Sequence, residues 1–148
     1  MMKTEERVVA YQATSYRVFL PGGAIDLRVG VADAALARWL ATEGVSSWAI
    51  LTAHNPASAC LSAVENVERQ SLLECALLEE GFLPYAGENI ADDGVWPTEE
   101  SCFVTDISVK NSMAMARRFG QNAFIAGEGE GMPRLVWLEM EKDQEKDQ

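Results

Sequence analysis

The stretch Ser47-Trp-Ala-Ile-Leu-Thr-Ala-His-Asn-Pro56 decides the fold class of this chain. Its first part, Ser47 to Ala53, is a short apolar run bounded by turn residues, a pattern that predicts a strand buried in a sheet. The run ends in the polar corner His54-Asn55-Pro56, and compact domains commonly build a site where a strand ends. Two other polar clusters follow apolar segments in the same way: Trp96-Pro-Thr-Glu-Glu-Ser101 and Phe119-Gly-Gln-Asn-Ala123.

Strands and helices are predicted on both sides of this first strand. Six further strands are predicted from alternation and turn signals: Tyr16–Leu20, Ala24–Val29, Phe82–Tyr85, Ser101–Asp106, Ala123–Ala126 and Leu135–Leu138. Three helices are predicted behind capping residues, from Asp33 to Gly44, from Ser58 to about Glu80, and from Ser108 to Phe119. The resulting order predicts the α+β class, with a mixed, mostly antiparallel sheet and about three packed helices.

The length of 148 residues favours one domain. We expect a flexible leader over residues 1–12, a single α+β domain over residues 13–138, and a disordered acidic tail over residues 139–148. No apolar run approaches the roughly 20 residues of a membrane helix, so no membrane association is expected. No signal peptide is visible either, so a cytoplasmic location is the expectation.

The formal net charge is −11, and no basic stripe interrupts it. Nucleic-acid binding depends on cationic side chains against phosphates, so direct nucleic-acid binding is not expected. Acidity is mostly a matter of solubility, but it also suits a basic protein partner.

The cysteines and the histidine support no standard catalytic or metal template. Cys60, Cys75 and Cys102 lie in apolar stretches, so we expect reduced, mostly buried thiols. His54 is the one histidine of the chain, which leaves a Ser-His-Asp triad or a histidine metal site unsupported. We therefore predict neither a metal nor a cofactor, and we assign no catalytic residue.

Several polar residues near the element ends are candidates for a site. Asn55 offers a donor and an acceptor, which suits either a ligand or the cap of the next helix. Arg69 lies on a partly apolar helix face beside Asn66, and Glu100 enters a buried strand, so an Arg69–Glu100 ion pair is predicted. That pair is either structural or part of a site in which Glu100 acts as a general acid or base.

Gln121 and Asn122 follow the glycine that ends the last helix. Adjacent amides at this place either satisfy the last helix carbonyls or contact a ligand. Both readings remain open from the sequence.

Four spaced motifs together resemble the domain-of-unknown-function family 3293: Thr52-Ala-x-Asn-Pro56, Asn66-x-x-Arg69, Trp96-Pro-x-Glu-Glu-Ser101 and Phe119-Gly-Gln-Asn-Ala123. The resemblance runs from about Tyr16 to Leu138. It implies a bacterial cytoplasmic domain, and it implies that the family-typical polar positions are Asn55, Asn66, Arg69, Glu100, Gln121 and Asn122.

Two functions are compatible with these observations. The first is a pocket, lined by the candidate residues, for a small polar ligand, of which a nucleotide-like molecule is one example. The second is an acidic protein-interaction module, an inhibitor or adaptor, for a basic partner. A deep pocket ringed by the candidates favours the first, and a flat acidic face favours the second.

Overall fold

The computed structural model describes residues 4–56 and 59–138. Its elements in chain order are α1 (Thr4–Gln12), β1 (Thr14–Leu20), β2 (Gly23–Leu27), α2 (Ala34–Glu43), β3 (Ser47–Leu51), α3 (Ala63–Glu79), β4 (Pro84–Ala91), β5 (Glu99–Thr105), α4 (Val109–Arg118), β6 (Ala123–Glu128) and β7 (Arg134–Trp137). The strands form one sheet in the order β2-β1-β4-β5-β3-β6-β7. Every neighbouring pair is antiparallel. One antiparallel sheet together with these helices confirms the prediction of a single α+β domain.

Local sequence signals set several boundaries where they were predicted. Asp33 caps α2 by accepting a hydrogen bond from the Leu36 N–H at 2.8 Å, and Gly44 ends the helix in the left-handed region at φ 70°. Ser108 caps α4 through the Asn111 N–H at 3.0 Å. These caps satisfy backbone groups that the helix itself leaves unpaired, so the short-range pattern was sufficient to locate them.

Helix α3 begins later than the sequence pattern predicted. The expected cap, Ser58, lies outside the described residues. The actual cap is Ser62, which forms a reciprocal capping box with Glu65. The Ser62 hydroxyl accepts from the Glu65 N–H and the Glu65 carboxylate accepts from the Ser62 N–H, so the box satisfies two backbone donors. The preceding residues 59–61 remain outside the helix.

Strand β4 and helix α1 were not fully predicted. The sequence analysis placed a short strand at Phe82–Tyr85, but β4 continues to Ala91 because it pairs with β1 on one side and β5 on the other. A helix, α1, occupies the segment for which a flexible leader was predicted, and its Tyr11 packs edge-on against Trp137 with ring centroids 5.6 Å apart. The predicted acidic tail, residues 139–148, lies outside the described residues.

The sheet separates two apolar layers. Helices α3 and α4 cover one face, where Leu73, Leu77 and Met115 pack on strand residues such as Val104. Helix α2 covers part of the other face, where its leucines pack beside Trp48 and Phe103. Successive strand residues alternate between these layers. None of the described helices is long and apolar enough to span a bilayer.

The cysteine prediction is wrong for two of the three thiols. Cys102 is buried in β5, but Cys60 and Cys75 are exposed, and all three are free. Cys75 lies two residues after the buried Leu73 on α3, so the helical turn carries it away from the core despite its apolar neighbours in sequence.

Candidate functional site

A pocket of about 300 Å³ lies at one end of the sheet. The antiparallel registers Leu51↔Cys102, Asn89↔Glu99 and Thr14↔Ala91 bring the ends of β3 and β4 to the same end of the sheet as the starts of β1 and β5. The segment before β6 also reaches this end of the sheet, and α1 closes one side of the pocket. The polar wall includes His54, Asn55, Asn89, Glu99, Gln121 and Asn122.

The loop Thr52–Pro56, which follows β3, is held by two asparagines. The Asn55 backbone N–H donates to Asn66 Oδ1 at 2.9 Å, and Asn66 Nδ2 donates back to Asn55 Oδ1 at 2.9 Å. Asn55 Oδ1 also accepts from the Leu61 N–H at 2.8 Å. Asn55 adopts a left-handed backbone at φ 46°, which asparagine tolerates better than most residues. The two side chains therefore fix a turn that the backbone alone would not favour.

Three further side chains bind the backbone of the same loop. Arg69 Nε donates to the Ala53 carbonyl at 2.7 Å, and Arg69 Nη2 donates to the Phe119 carbonyl. Gln70, which is fully buried, accepts from the Ala53 N–H at 3.0 Å. Gln121 Nε2 donates to the His54 carbonyl at 3.0 Å. Since buried backbone groups need partners, this network specifies the loop conformation.

The predicted ion pair between Arg69 and Glu100 is wrong. Arg69 is engaged with the two carbonyls, and the described residues contain no salt bridge between it and Glu100. Glu100 is exposed, whereas its neighbour Glu99 lines the pocket. The expectation that the two glutamates point to opposite faces of β5 was sound, but the inward residue is Glu99.

The Glu99 carboxylate is oriented by two donors. Its Oε2 accepts from Asn55 Nδ2 at 2.7 Å and from the Trp96 indole N–H at 2.9 Å. This oxygen therefore joins the β3 loop to the segment before β5. No described residue donates a hydrogen bond to the other oxygen, Oε1. The carboxylate is thus held in one orientation with one oxygen available.

Buried polar atoms of the pocket wall that lack a hydrogen-bond partner among the described residues include His54 Nε2 and Asn89 Oδ1. His54 is 8 % exposed, and burial lowers the pKa of its imidazole although the nearby Glu99 and Glu100 charges oppose that shift. Burial therefore favours the neutral form of the imidazole. A buried polar atom without a partner costs about 1–3 kcal/mol, so each is an unusual feature of a folded protein.

The structure divides the six predicted site residues into three groups. Asn55, Gln121 and Asn122 line the pocket. Asn66 and Arg69 lie behind it and hold the loop. Glu100 is exposed and does not line the pocket.

Other residues of the site were not identified from the sequence. Gln70 follows Asn66 by one helical turn, so its position on the same face was a readable signal. Asn89 had none, because its strand was not predicted to extend so far.

The described residues contain no cluster of three histidine, cysteine or acidic side chains that could hold a metal ion. The described pocket wall contains no serine or cysteine that could act as a nucleophile. What it offers chemically is a set of oriented hydrogen-bonding groups beside the Trp96 and Tyr11 rings.

One comparison with known proteins gave a match. The model of the family described as "Protein of unknown function (DUF3293)" matches residues 51–124, which is half of the chain. The chain belongs to this family. No curated protein and no solved structure matches it.

The DUF3293 match covers the loop network and part of the pocket wall. It includes Asn55, Asn66, Arg69 and Glu99, together with β4 and the segment before β6. Helix α1 and strand β1, which supply the opposite wall, lie outside the matched range. The DUF3293 part of the chain therefore contains both the hydrogen-bonded loop and the oriented carboxylate.

Proposed function

We propose that this domain binds a small polar ligand in the pocket at the end of the sheet. One observation carries the proposal. Polar side chains from distant parts of the chain converge on one cavity, and two of them, His54 and Asn89, keep a buried polar atom without a partner among residues 4–56 and 59–138. A ligand, directly or through a bound water, would supply the missing hydrogen bonds.

The size of the pocket limits the ligand. About 300 Å³ lies at the lower end of the range for small-molecule sites, so a compact molecule is proposed rather than a polymer. The Trp96 and Tyr11 rings at the wall suit a planar group. A nucleotide-like ligand fits this proposal if its base enters the pocket.

Binding is proposed rather than catalysis. Glu99 and His54 are titratable, but each lies in a wall without a serine or cysteine nucleophile among the described residues. The Thr14 hydroxyl is also engaged, because it donates to the Ala10 carbonyl at 2.7 Å. The loop network is built to hold the wall in one shape, which lowers the entropic cost of binding.

The test is a thermal-shift screen of the full chain against a nucleotide and metabolite library. A ligand at about 100 times its dissociation constant should stabilise the fold by about 2.7 kcal/mol. The gain should shrink in Asn89→Leu, which removes a pocket amide without changing size greatly. The matched control, Asn111→Leu on the exposed surface of α4, should keep the full gain.

Two results would contradict the proposal. One is an equal gain in both asparagine variants, which would place the ligand elsewhere. The other is a screen without any stabilising compound, together with native mass spectrometry showing a basic protein bound to the chain purified from its host. That second result would favour the acidic interaction module instead.

A further inference from the structure

The hydrogen-bond donors of the pocket wall are largely engaged with protein acceptors. Asn55 Nδ2 and the Trp96 indole N–H both donate to Glu99. Gln121 Nε2 donates to the His54 carbonyl, and the Tyr16 hydroxyl donates to the Tyr11 carbonyl at 3.3 Å. Each of these groups therefore uses at least one proton to orient the wall.

Two acceptor oxygens of the pocket wall, in contrast, receive no hydrogen bond from the described residues. Glu99 Oε1 and Asn89 Oδ1 have no donor among the described residues. Asn89 and Glu99 are direct register partners on β4 and β5, so their side chains lie on the same face about 5 Å apart at Cβ. A ligand that reaches Glu99 Oε1 can therefore also reach the Asn89 amide.

The charge of the wall favours a cationic ligand that donates hydrogen bonds. Glu99 and Asp93 contribute carboxylates to the pocket, against the guanidinium of Arg7. Trp96 is 40 % exposed, and its ring lies beside the oriented carboxylate through the indole hydrogen bond. A planar cation next to a carboxylate and an indole gains both a charge-assisted hydrogen bond and a cation–π contact.

We infer that the pocket recognises a planar nitrogen group with paired N–H donors, such as an amidinium or guanidinium group, through Glu99 Oε1, the Asn89 amide and the Trp96 ring. The inference rests on the proposed function and names the ligand class of that same site. Because the Asn55 and Trp96 donors fix the carboxylate before the ligand binds, ordering this side chain adds little to the entropic cost of binding.

Three probes of one shape test the donor requirement. Benzamidine carries a planar cation with N–H donors on two nitrogens. Benzamide has an acceptor oxygen in place of one of these nitrogens and no charge, and benzoate carries only acceptors and a negative charge. Isothermal titration of the full chain should rank them benzamidine, benzamide, benzoate, with at least about tenfold between the first and the last. Equal affinities, or a preference for benzoate, would overturn the inference.

The two neighbouring glutamates provide a matched pair of variants. In Glu99→Gln the carbonyl oxygen can still accept from Asn55 and Trp96, which turns the amide nitrogen toward the pocket. Benzamidine affinity should then fall by about 10–100-fold, because a charge-assisted acceptor becomes a donor. Glu100→Gln removes the same charge one residue away on the exposed face and should change the affinity less than twofold. Equal losses in both variants would overturn the inference by reducing it to overall charge.

Failure of this inference is distinguishable from failure of the proposed function. If benzamidine does not bind at a concentration of about 10 mM, the proposed ligand class is wrong. The thermal-shift screen then decides the proposed function separately. A library compound without paired N–H donors whose effect depends on Asn89 would keep the pocket as a binding site and reject only this ligand class.

Discussion

Removing the Arg69 side chain should weaken the domain by releasing the loop that forms the pocket wall. Its guanidinium donates to the carbonyls of Ala53 and Phe119, so one side chain joins the β3 loop to the end of α4. Hydrogen bonds from a charged group contribute about 1.5–3 kcal/mol each. Arg69 is half-buried, which lets water reach part of the vacated site and reduces the total. We expect Arg69→Ala to lower the free energy of unfolding by about 2–4 kcal/mol.

Urea denaturation followed by tryptophan fluorescence measures this change. In a chain of this size the loss corresponds to a fall in Tm of about 6–12 °C. Arg38→Ala is the matched control, because Arg38 is exposed on α2, and it should change stability by less than about 0.5 kcal/mol.

A double-mutant cycle separates this account from the ion pair that the sequence suggested. Glu100→Gln should be nearly neutral, and its coupling to Arg69→Ala should lie within about 0.5 kcal/mol of zero. A coupling above about 1 kcal/mol, or an Arg69→Ala variant as stable as the unmodified chain, would refute the reasoning from the carbonyl contacts.

Three other predictions follow from buried groups. Gln70→Leu should lower stability by about 1–3 kcal/mol in urea denaturation, because it leaves the Ala53 N–H without its acceptor; an unchanged midpoint would contradict the network. A thiol reagent should label Cys60 and Cys75 but not Cys102, since burial raises the pKa of the Cys102 thiol to about 12; rapid labelling of Cys102 in the native state would contradict this. The His54 imidazole should titrate below its usual 6.5 in an NMR pH series, because burial lowers its pKa. The unfolded chain then binds the proton more tightly, so stability should fall as pH drops below about 6.5; a normal or raised pKa would contradict the burial.

The parts of the fold that the sequence predicted are those set by local chemistry. Asp33 and Gly44 bound α2, and Ser108 caps α4, through contacts within a few residues. The same criterion predicted Ser58 as the cap of α3, whereas the cap is Ser62. The serine at 62 with a glutamate three residues later was a readable capping-box signal that the prediction did not use.

The parts that were missed depend on long-range pairing. Gly87, Glu88 and Asn89 have poor strand propensity, yet they lie in β4 because β1 and β5 pair on both sides. A side chain at Gly87 would collide with Ser101 Oγ at 2.7 Å, which explains a glycine within a central strand.

The candidate site shows the same division. Asn55 and Gln121 were found because polar residues at element ends stand out against apolar surroundings. Strand alternation indicated that only one of Glu99 and Glu100 faces inward, but the register with β4 decides which one. Asn66 and Arg69 were predicted to contact a ligand, but they hold the loop instead. The sequence does not show how close a helix side chain lies to the backbone of a distant loop.

Chemical-shift mapping tests the central claim most directly. The uniformly ¹⁵N-labelled chain of 148 residues should be titrated with the library compound that stabilises it most, and the backbone, indole and side-chain amide signals should be followed. The account predicts that the largest saturable shifts occur at the Trp96 indole N–H, the Asn89 side-chain amide and the backbone N–H groups of His54 and Glu99. Shifts confined to α2, or shifts that do not saturate, would contradict the assignment of the pocket as the ligand site.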